Sequence, residues 1–248
     1  AKHTVLWAKK VPVIYSPYLV FPVKTKRQTG FLIPGITTSD RKGFEYEQPF
    51  FWAISDHSDA TFYVDHMSDR GAKIGAEYRY IISHKTKGAV HLDGLEDDKI
   101  DDGTANTSDY AFAATPQRTN DKRFWLRLKH NQELPNSFNA KVDIDVVSDE
   151  DYLHEFKDGF TGYTATKTYF EDEFGRSLDE YDDYTRKNAV TLSKSWSNYS
   201  FRANTIWYDN VRARKQGTTD TTLQSLPNIS FDASKSRISS SPFYYSLD

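Results

Sequence analysis

Residues 44–54 read Phe44-Glu45-Tyr46-Glu47-Gln48-Pro49-Phe50-Phe51-Trp52-Ala53-Ile54. One phase holds Phe44, Tyr46, Gln48, Phe50, Trp52 and Ile54; the other holds Glu45, Glu47, Pro49, Phe51 and Ala53. Successive side chains of a strand point to opposite faces, so this alternation predicts a strand with one apolar and one polar face. The same period returns along the chain. At 72–83, Ala72, Ile74, Ala76, Tyr78, Tyr80 and Ile82 alternate with Lys73, Gly75, Glu77, Arg79, Ile81 and Ser83. At 123–130, Phe124, Leu126 and Leu128 oppose Arg123, Arg127 and Lys129, with Trp125 on the charged side. At 138–147, Phe138, Ala140, Val142, Ile144 and Val146 oppose Asn139, Lys141, Asp143, Asp145 and Val147. At 199–208, Tyr199, Phe201, Ala203, Thr205 and Trp207 oppose Ser200, Arg202, Asn204, Ile206 and Tyr208.

Short polar segments rich in turn formers separate the runs: Asp40-Arg41-Lys42-Gly43, Ser55-Asp56-His57-Ser58, Ser68-Asp69-Arg70-Gly71, Lys85-Thr86-Lys87-Gly88 and Leu134-Pro135-Asn136-Ser137. Connections this short join antiparallel neighbours, because parallel strands need long crossovers. No sustained helical periodicity is evident, so helix is expected to be minor. Two polar segments, 94–120 and 148–188, read as long loops on one side of the meander. Residues 1–25 differ: Val11 to Val23 is more uniformly apolar and holds Pro12, Pro17 and Pro22. Proline sits at sheet edges and bends, so this stretch reads as the end of a separate β-domain. Lys24-Thr25-Lys26-Arg27-Gln28-Thr29-Gly30 is its junction with the meander. The chain, starting at Ala1, reads as a mature fragment or a part of a longer protein.

Composition narrows the class. The chain has 248 residues, 38% hydrophobic, 27% charged and 15% aromatic, with a net charge of -3. Mean hydropathy is -0.71, and no run approaches the ~20 apolar residues of a spanning helix. A transmembrane β-barrel is not excluded, because its lumen-facing residues hide the apolar band in any average. There is no basic excess to suggest nucleic acid. Without cysteine there is no disulfide or thiolate site. Neither G-x-S-x-G, Walker A, H-E-x-x-H nor G-x-G-x-x-G occurs, and the seven histidines are scattered. The chain reads as a non-enzyme that needs no cofactor.

Period two suits both a soluble β-sandwich that binds carbohydrate through its aromatics and a barrel whose apolar face meets lipid. The barrel is favoured by consecutive hairpins, by runs of about 9–11 residues, by aromatics near strand ends and by opposite charges on the polar face. Ile74, Ala76, Tyr78, Val142, Ile144, Phe201 and Ala203 are then expected to face lipid.

Several stretches in order resemble the lipopolysaccharide-assembly LptD family of the Gram-negative outer membrane. They include Ala1-Lys2-His3-Thr4-Val5-Leu6, Val11-Pro12-Val13-Ile14-Tyr15-Ser16-Pro17-Tyr18 and Thr29-Gly30-Phe31-Leu32-Ile33-Pro34. Gly43-Phe44-Glu45-Tyr46, Gln48-Pro49-Phe50-Phe51-Trp52-Ala53-Ile54, Met67-Ser68-Asp69-Arg70-Gly71 and Val147-Ser148-Asp149-Glu150-Asp151-Tyr152 follow. The resemblance implies an all-β chain: residues 1–25 ending a periplasmic β-jellyroll, and 26–248 forming an incomplete antiparallel up-and-down meander of an outer-membrane barrel. It implies transport of lipopolysaccharide to the outer leaflet, with an LptE-like lipoprotein plug, an LptA-like periplasmic bridge, the barrel-assembly machinery and outer-membrane lipids as partners. The alternative is another barrel channel of porin or uptake type.

Under this resemblance Pro34 and Pro49, which interrupt the first and second barrel strands, become candidates for a lateral gate, since each lacks a ladder donor. Ile14, Tyr15, Tyr18, Leu19, Val20 and Phe21 become candidates for an acyl-chain path. Glu45, Glu47, Lys73, Glu77, Arg79, Arg123, Arg127, Lys129, Lys141, Asp143 and Asp145 are expected to line the lumen, as a solvated interior or as contacts to a lipid headgroup or plug. The acidic runs Asp149-Glu150-Asp151 and Asp179-Glu180-Tyr181-Asp182-Asp183 read as solvated loops rather than as a cation site.

Overall fold

The computed structural model describes residues 2–8, 11–18, 27–100, 120–238 and 240–247, with side chains described from 27 onward except 225 and 226. β1 (Lys2–Ala8) and β2 (Val11–Tyr18) form an antiparallel pair. The ladder slips one residue between Leu6 and Trp7, where Pro12 stands opposite Trp7.

A second sheet contains every later strand: β3 (Gly30–Phe31), β4 (Gly35–Ser39), β5 (Gly43–Ser55), β6 (Ser58–Met67), β7 (Gly71–Ile81), β8 (Lys87–Glu96), β9 (Lys122–Leu134), β10 (Phe138–Val147), β11 (Thr185–Ser195), β12 (Tyr199–Asn210), β13 (Ser225–Arg237) and β14 (Tyr244–Leu247). These twelve strands lie in chain order, each antiparallel to its neighbour, with β3 and β4 sharing one edge position against β5. Among the described residues the sheet is open, with β14 at the far edge. The meander expected from the hairpin spacing is the observed topology. Its turns impose local chemistry: Gly43 has φ +70°, and a Cβ there would fall 2.0 Å from Ser68 Oγ, so the β4–β5 turn admits only glycine.

The two faces are inverted relative to a protein in water. Phe44, Trp52, Phe62, Val64, Ile74, Tyr78 and Leu92 are exposed, while Glu45, Glu47, Asp65, Lys73, His91, Asp93 and Arg127 on the alternate phase are buried. No second sheet covers the apolar face among the described residues, which removes the sandwich reading. Of the residues expected outside, Ile74, Ala76 and Tyr78 are exposed; Val142, Ile144, Phe201 and Ala203 are half-buried among neighbours on the same face, Phe138 against Phe201 for one. Ile74 is 66% exposed and is flanked across the sheet by Val64. Ile74→Arg should destabilise the barrel by about 2–4 kcal/mol if the residue sits near the bilayer midplane. Unfolding in lipid vesicles measures this, and a variant as stable as the parent would mean that the face meets water.

The segment between β10 and β11 is not a bare loop. It forms α1 (Tyr152–Glu155) and α2 (Tyr163–Phe174). A third helix, α3 (Val211–Gln216), follows β12. Tyr152, Leu153, Phe156, Tyr163, Phe170, Phe174 and Leu178 pack with Met67, Leu95 and Trp125 from the strands. The insert thus lies on the charged face of the sheet, where Trp125 stacks on Tyr163 with ring centroids 6.4 Å apart.

Candidate functional site

The edge strand is broken where the two prolines stand. Phe31 pairs with Phe50 and Gly35 with Glu47, so Leu32, Ile33 and Pro34 oppose only Gln48 and Pro49. One extra residue on the first strand makes this a bulge. Pro34 lies in the gap between β3 and β4, and Pro49 is buried in β5 opposite Tyr63 of β6. The Leu32 N–H donates to the Pro49 carbonyl at 3.0 Å. Since a residue's N–H and C=O point to the same neighbour in an antiparallel ladder, the donor Pro49 lacks would also have faced the first strand.

Behind this edge lies the charged face. Most residues expected to line the lumen are buried, and they pair with one another or with the insert. Lys42 bonds Glu45 at 2.7 Å, and Lys73 lies 3.2 Å from Asp65. Arg79 reaches Asp59 at 2.8 Å and Glu77 at 2.9 Å. Glu47 accepts the Phe160 N–H at 3.0 Å. Arg127 pairs with Asp93 and donates to the Thr161 carbonyl at 2.9 Å. Asp145 accepts from Trp125 Nε1 at 2.8 Å and from Arg186 at 2.5 Å. Lys129 lies 3.3 Å from Asp143, which also receives Arg176 of the insert at 2.9 Å. Lys141 is exposed. The charged face of the sheet is therefore an ion-paired seat for the insert.

The densest part of the seat surrounds Phe156. Lys42, Arg70, Lys73 and Arg123 hold their cationic groups 5.0–5.6 Å from the centre of its ring, within cation–π range. Arg123 donates to Asp149 at 2.6 Å, Asp97 at 2.8 Å and Glu155 at 2.5 Å. Arg70 bonds the same Asp97 at 2.7 Å and Glu155 at 2.6 Å. Burial pushes the Asp97 carboxyl up, but the two guanidiniums outweigh it and hold it below its ordinary value. The Asp149-Glu150-Asp151 run, expected to be solvated, is buried; Glu150 takes Arg212 of α3 at 2.5 Å.

Arg70 had looked only like part of a turn, and nothing in its local sequence marks it as buried. Phe156 and α2 were likewise missed. Their signal was a helical stripe, Tyr163, Thr166, Phe170 and Phe174, inside an otherwise acidic segment. Between the insert and the edge strand is a cavity of about 590 Å³ lined by Thr37, Arg41, Lys42, Glu45, His154 and Lys157, among others. Its lining carries charges of both signs, and Lys42 pairs there with Glu45. No group of three or more His, Asp or Glu among the described residues is placed to hold a metal ion. Ile14, Tyr15 and Tyr18 lie in β2, whose side chains are not described, and Leu19, Val20 and Phe21 lie outside the described residues.

Comparison with known proteins agrees with this architecture. A family model described as LptD protein matches residues 1–242. An LPS-assembly protein LptD of Actinobacillus pleuropneumoniae serotype 7 (strain AP76) is 33% identical over 171 residues, covering 69% of this chain and 19% of the relative. That of Haemophilus ducreyi is 30% identical over 182 residues, covering 71% and 22%. That of Alkalilimnicola ehrlichii is 31% identical over 184 residues, covering 74% and 21%. The chain spans about a fifth of the length of these curated relatives. An open antiparallel meander, apolar outside and charged inside, together with a match along nearly its whole length, makes the chain a member of the LptD family of LPS-assembly outer-membrane β-barrel proteins.

Proposed function

We propose that this chain begins the barrel of a transporter that delivers lipopolysaccharide to the outer leaflet of the outer membrane, acting by transport and not catalysis. Residues 1–25 end a periplasmic β-jellyroll whose Ile14, Tyr15, Tyr18, Leu19, Val20 and Phe21 guide acyl chains, and residues 26–248 start the barrel. The lipid leaves sideways, between the first and last strands, at a gate weakened by Pro34 and Pro49. An LptA-like bridge supplies the lipid, an LptE-like lipoprotein plugs the rest of the barrel, and the barrel-assembly machinery inserts it among outer-membrane lipids. The charged set from Glu45 to Asp145 lines the lumen and seats the insert, which acts as a plug within the chain.

The observation that carries the reading is the bulge of three residues against two at the prolines. It gives the two prolines unequal weight. Gly35 stands opposite Glu47, on the same phase of β5 as Pro49, and so points toward β5. By alternation Pro34 falls on the outward phase, toward the edge where a closing strand pairs. Pro34→Ala returns a donor to that edge. A net hydrogen bond is worth about 0.5–1.5 kcal/mol, so the open population should fall about two- to twelvefold. The test measures surface lipopolysaccharide in cells carrying Pro34→Ala, beside cells with a crosslink across the same seam. Slower export in both supports the reading. If only the crosslink blocks export, Pro34 is not part of the gate; if neither does, the sideways route is wrong.

A further inference from the structure

The outward phase of β5 is Phe44, Tyr46, Gln48, Phe50, Trp52 and Ile54, and Gln48 alone among them carries an amide. An amide without partners on a lipid-facing surface is costly, yet every polar atom of this one is engaged. Gln48 Nε2 donates to the Leu32 carbonyl at 2.9 Å and to the Pro49 carbonyl at 3.0 Å. Tyr46 donates its phenol O–H to Gln48 Oε1 at 2.8 Å. The amide orientation is fixed by chemistry, because both carbonyls can only accept.

The Leu32 carbonyl is where a residue with an N–H at position 49 would have donated. Leu32 already gives its own N–H to the Pro49 carbonyl, and the returning bond of that pair is the one proline cannot make. We propose that Gln48 is a positioning residue for the first strand: its side chain supplies the hydrogen bond that Pro49 cannot. The edge strand is held at its bulge by a clasp that a single side-chain rotation releases, where a backbone bond would require the strand itself to move. Tyr46 orients the clasp. The inference deepens the proposed gate and rests on that reading for its role in export, but the clasp itself is measurable without it.

The clasp predicts a dependence between two neighbouring residues. With Pro49 present, Gln48→Leu removes the donor without placing a polar group in lipid. Hydrogen exchange of the segment 30–36, in the full-length protein in lipid nanodiscs, should quicken about two- to twelvefold, the worth of one net hydrogen bond. Tyr46→Phe should move exchange the same way by less. In a Pro49→Ala background the backbone donor returns, so Gln48→Leu should leave exchange unchanged. No change in the Pro49 protein overturns the clasp. An equal change in both backgrounds also overturns it, because Gln48 would then act otherwise than as the missing donor. Surface lipopolysaccharide separates the clasp from the gate: quicker exchange with unaltered export keeps the clasp and defeats the gate.

Discussion

Replacing Arg123 by methionine is expected to release the insert from the barrel wall. The Arg123 side chain is wholly buried and joins three parts of the chain: Asp97 after β8, Asp149 at the start of the insert and Glu155 in α1. Removing one partner of a buried ion pair costs about 3–5 kcal/mol, most of it the penalty of leaving charge unpaired. Arg70 still reaches Asp97 and Glu155, and Asp149 keeps Ser148 Oγ at 2.6 Å, which places the cost toward the lower end of that range. Even so, about 3 kcal/mol raises the undocked population more than a hundredfold. Hydrogen exchange across α2 and protease cleavage within 156–184 should both accelerate by about that factor. Arg123→Lys keeps the charge but loses the planar fork that serves two carboxylates at once, so its effect should be smaller. An unchanged rate in Arg123→Met would show that aromatic packing alone seats the insert.

The meander was legible because hairpin pairing is local. Period two, a turn and period two again specify an antiparallel neighbour without knowledge of the rest. The faces were legible for a related reason: Ile74 beside Lys73 leaves no register in which both meet water comfortably. The seat was not legible. Asp97, Arg123 and Asp149 each look like ordinary solvated charges, and only the fold reveals that Arg123 pairs with both carboxylates across more than twenty residues of sequence. Helix α2 was hidden because its buried stripe includes Thr166 and its remaining face is as acidic as a loop. Trp125 was the one clue, an indole standing among arginines on the charged phase, and its partner is Tyr163. The prolines were visible as interruptions. Their division of labour was not, because it depends on a register that slips by one residue between Phe31 and Gly35.

Docking of the insert is also expected to weaken as pH rises, through Asp151. This carboxyl is buried at the N-cap of α1, and its Oδ1 has no hydrogen-bond partner among the described residues. Burial, and then the carboxylates of Glu155 and Asp149, push it up to about 7, against the weaker pull of Arg123 and Lys215. When the insert swings into water the group returns toward its ordinary value of 3.8. Between these two values the undocked form has lost the proton and the docked form retains it, so stability falls with rising pH across that window and is level above it. The span from 3.8 to about 7 corresponds to about 4 kcal/mol of docking lost between pH 4 and pH 8. Asp151→Asn removes the titration. Other carboxylates, Asp97 among them, titrate in the opposite sense, so the informative quantity is the difference between the parent and Asp151→Asn at each pH. That difference should be largest at pH 8 and should shrink toward pH 4, as the undocked form of the parent begins to regain the proton. Asparagine still buries an amide, which offsets about 1–3 kcal/mol if it finds no partner. The offset lowers the whole difference curve without altering its slope. Exchange across α2, corrected for the intrinsic effect of pH, gives the curve. A flat difference between pH 4 and pH 8 would mean that Asp151 is ionised in the docked insert and that Arg123 and Lys215 prevail over its acidic neighbours.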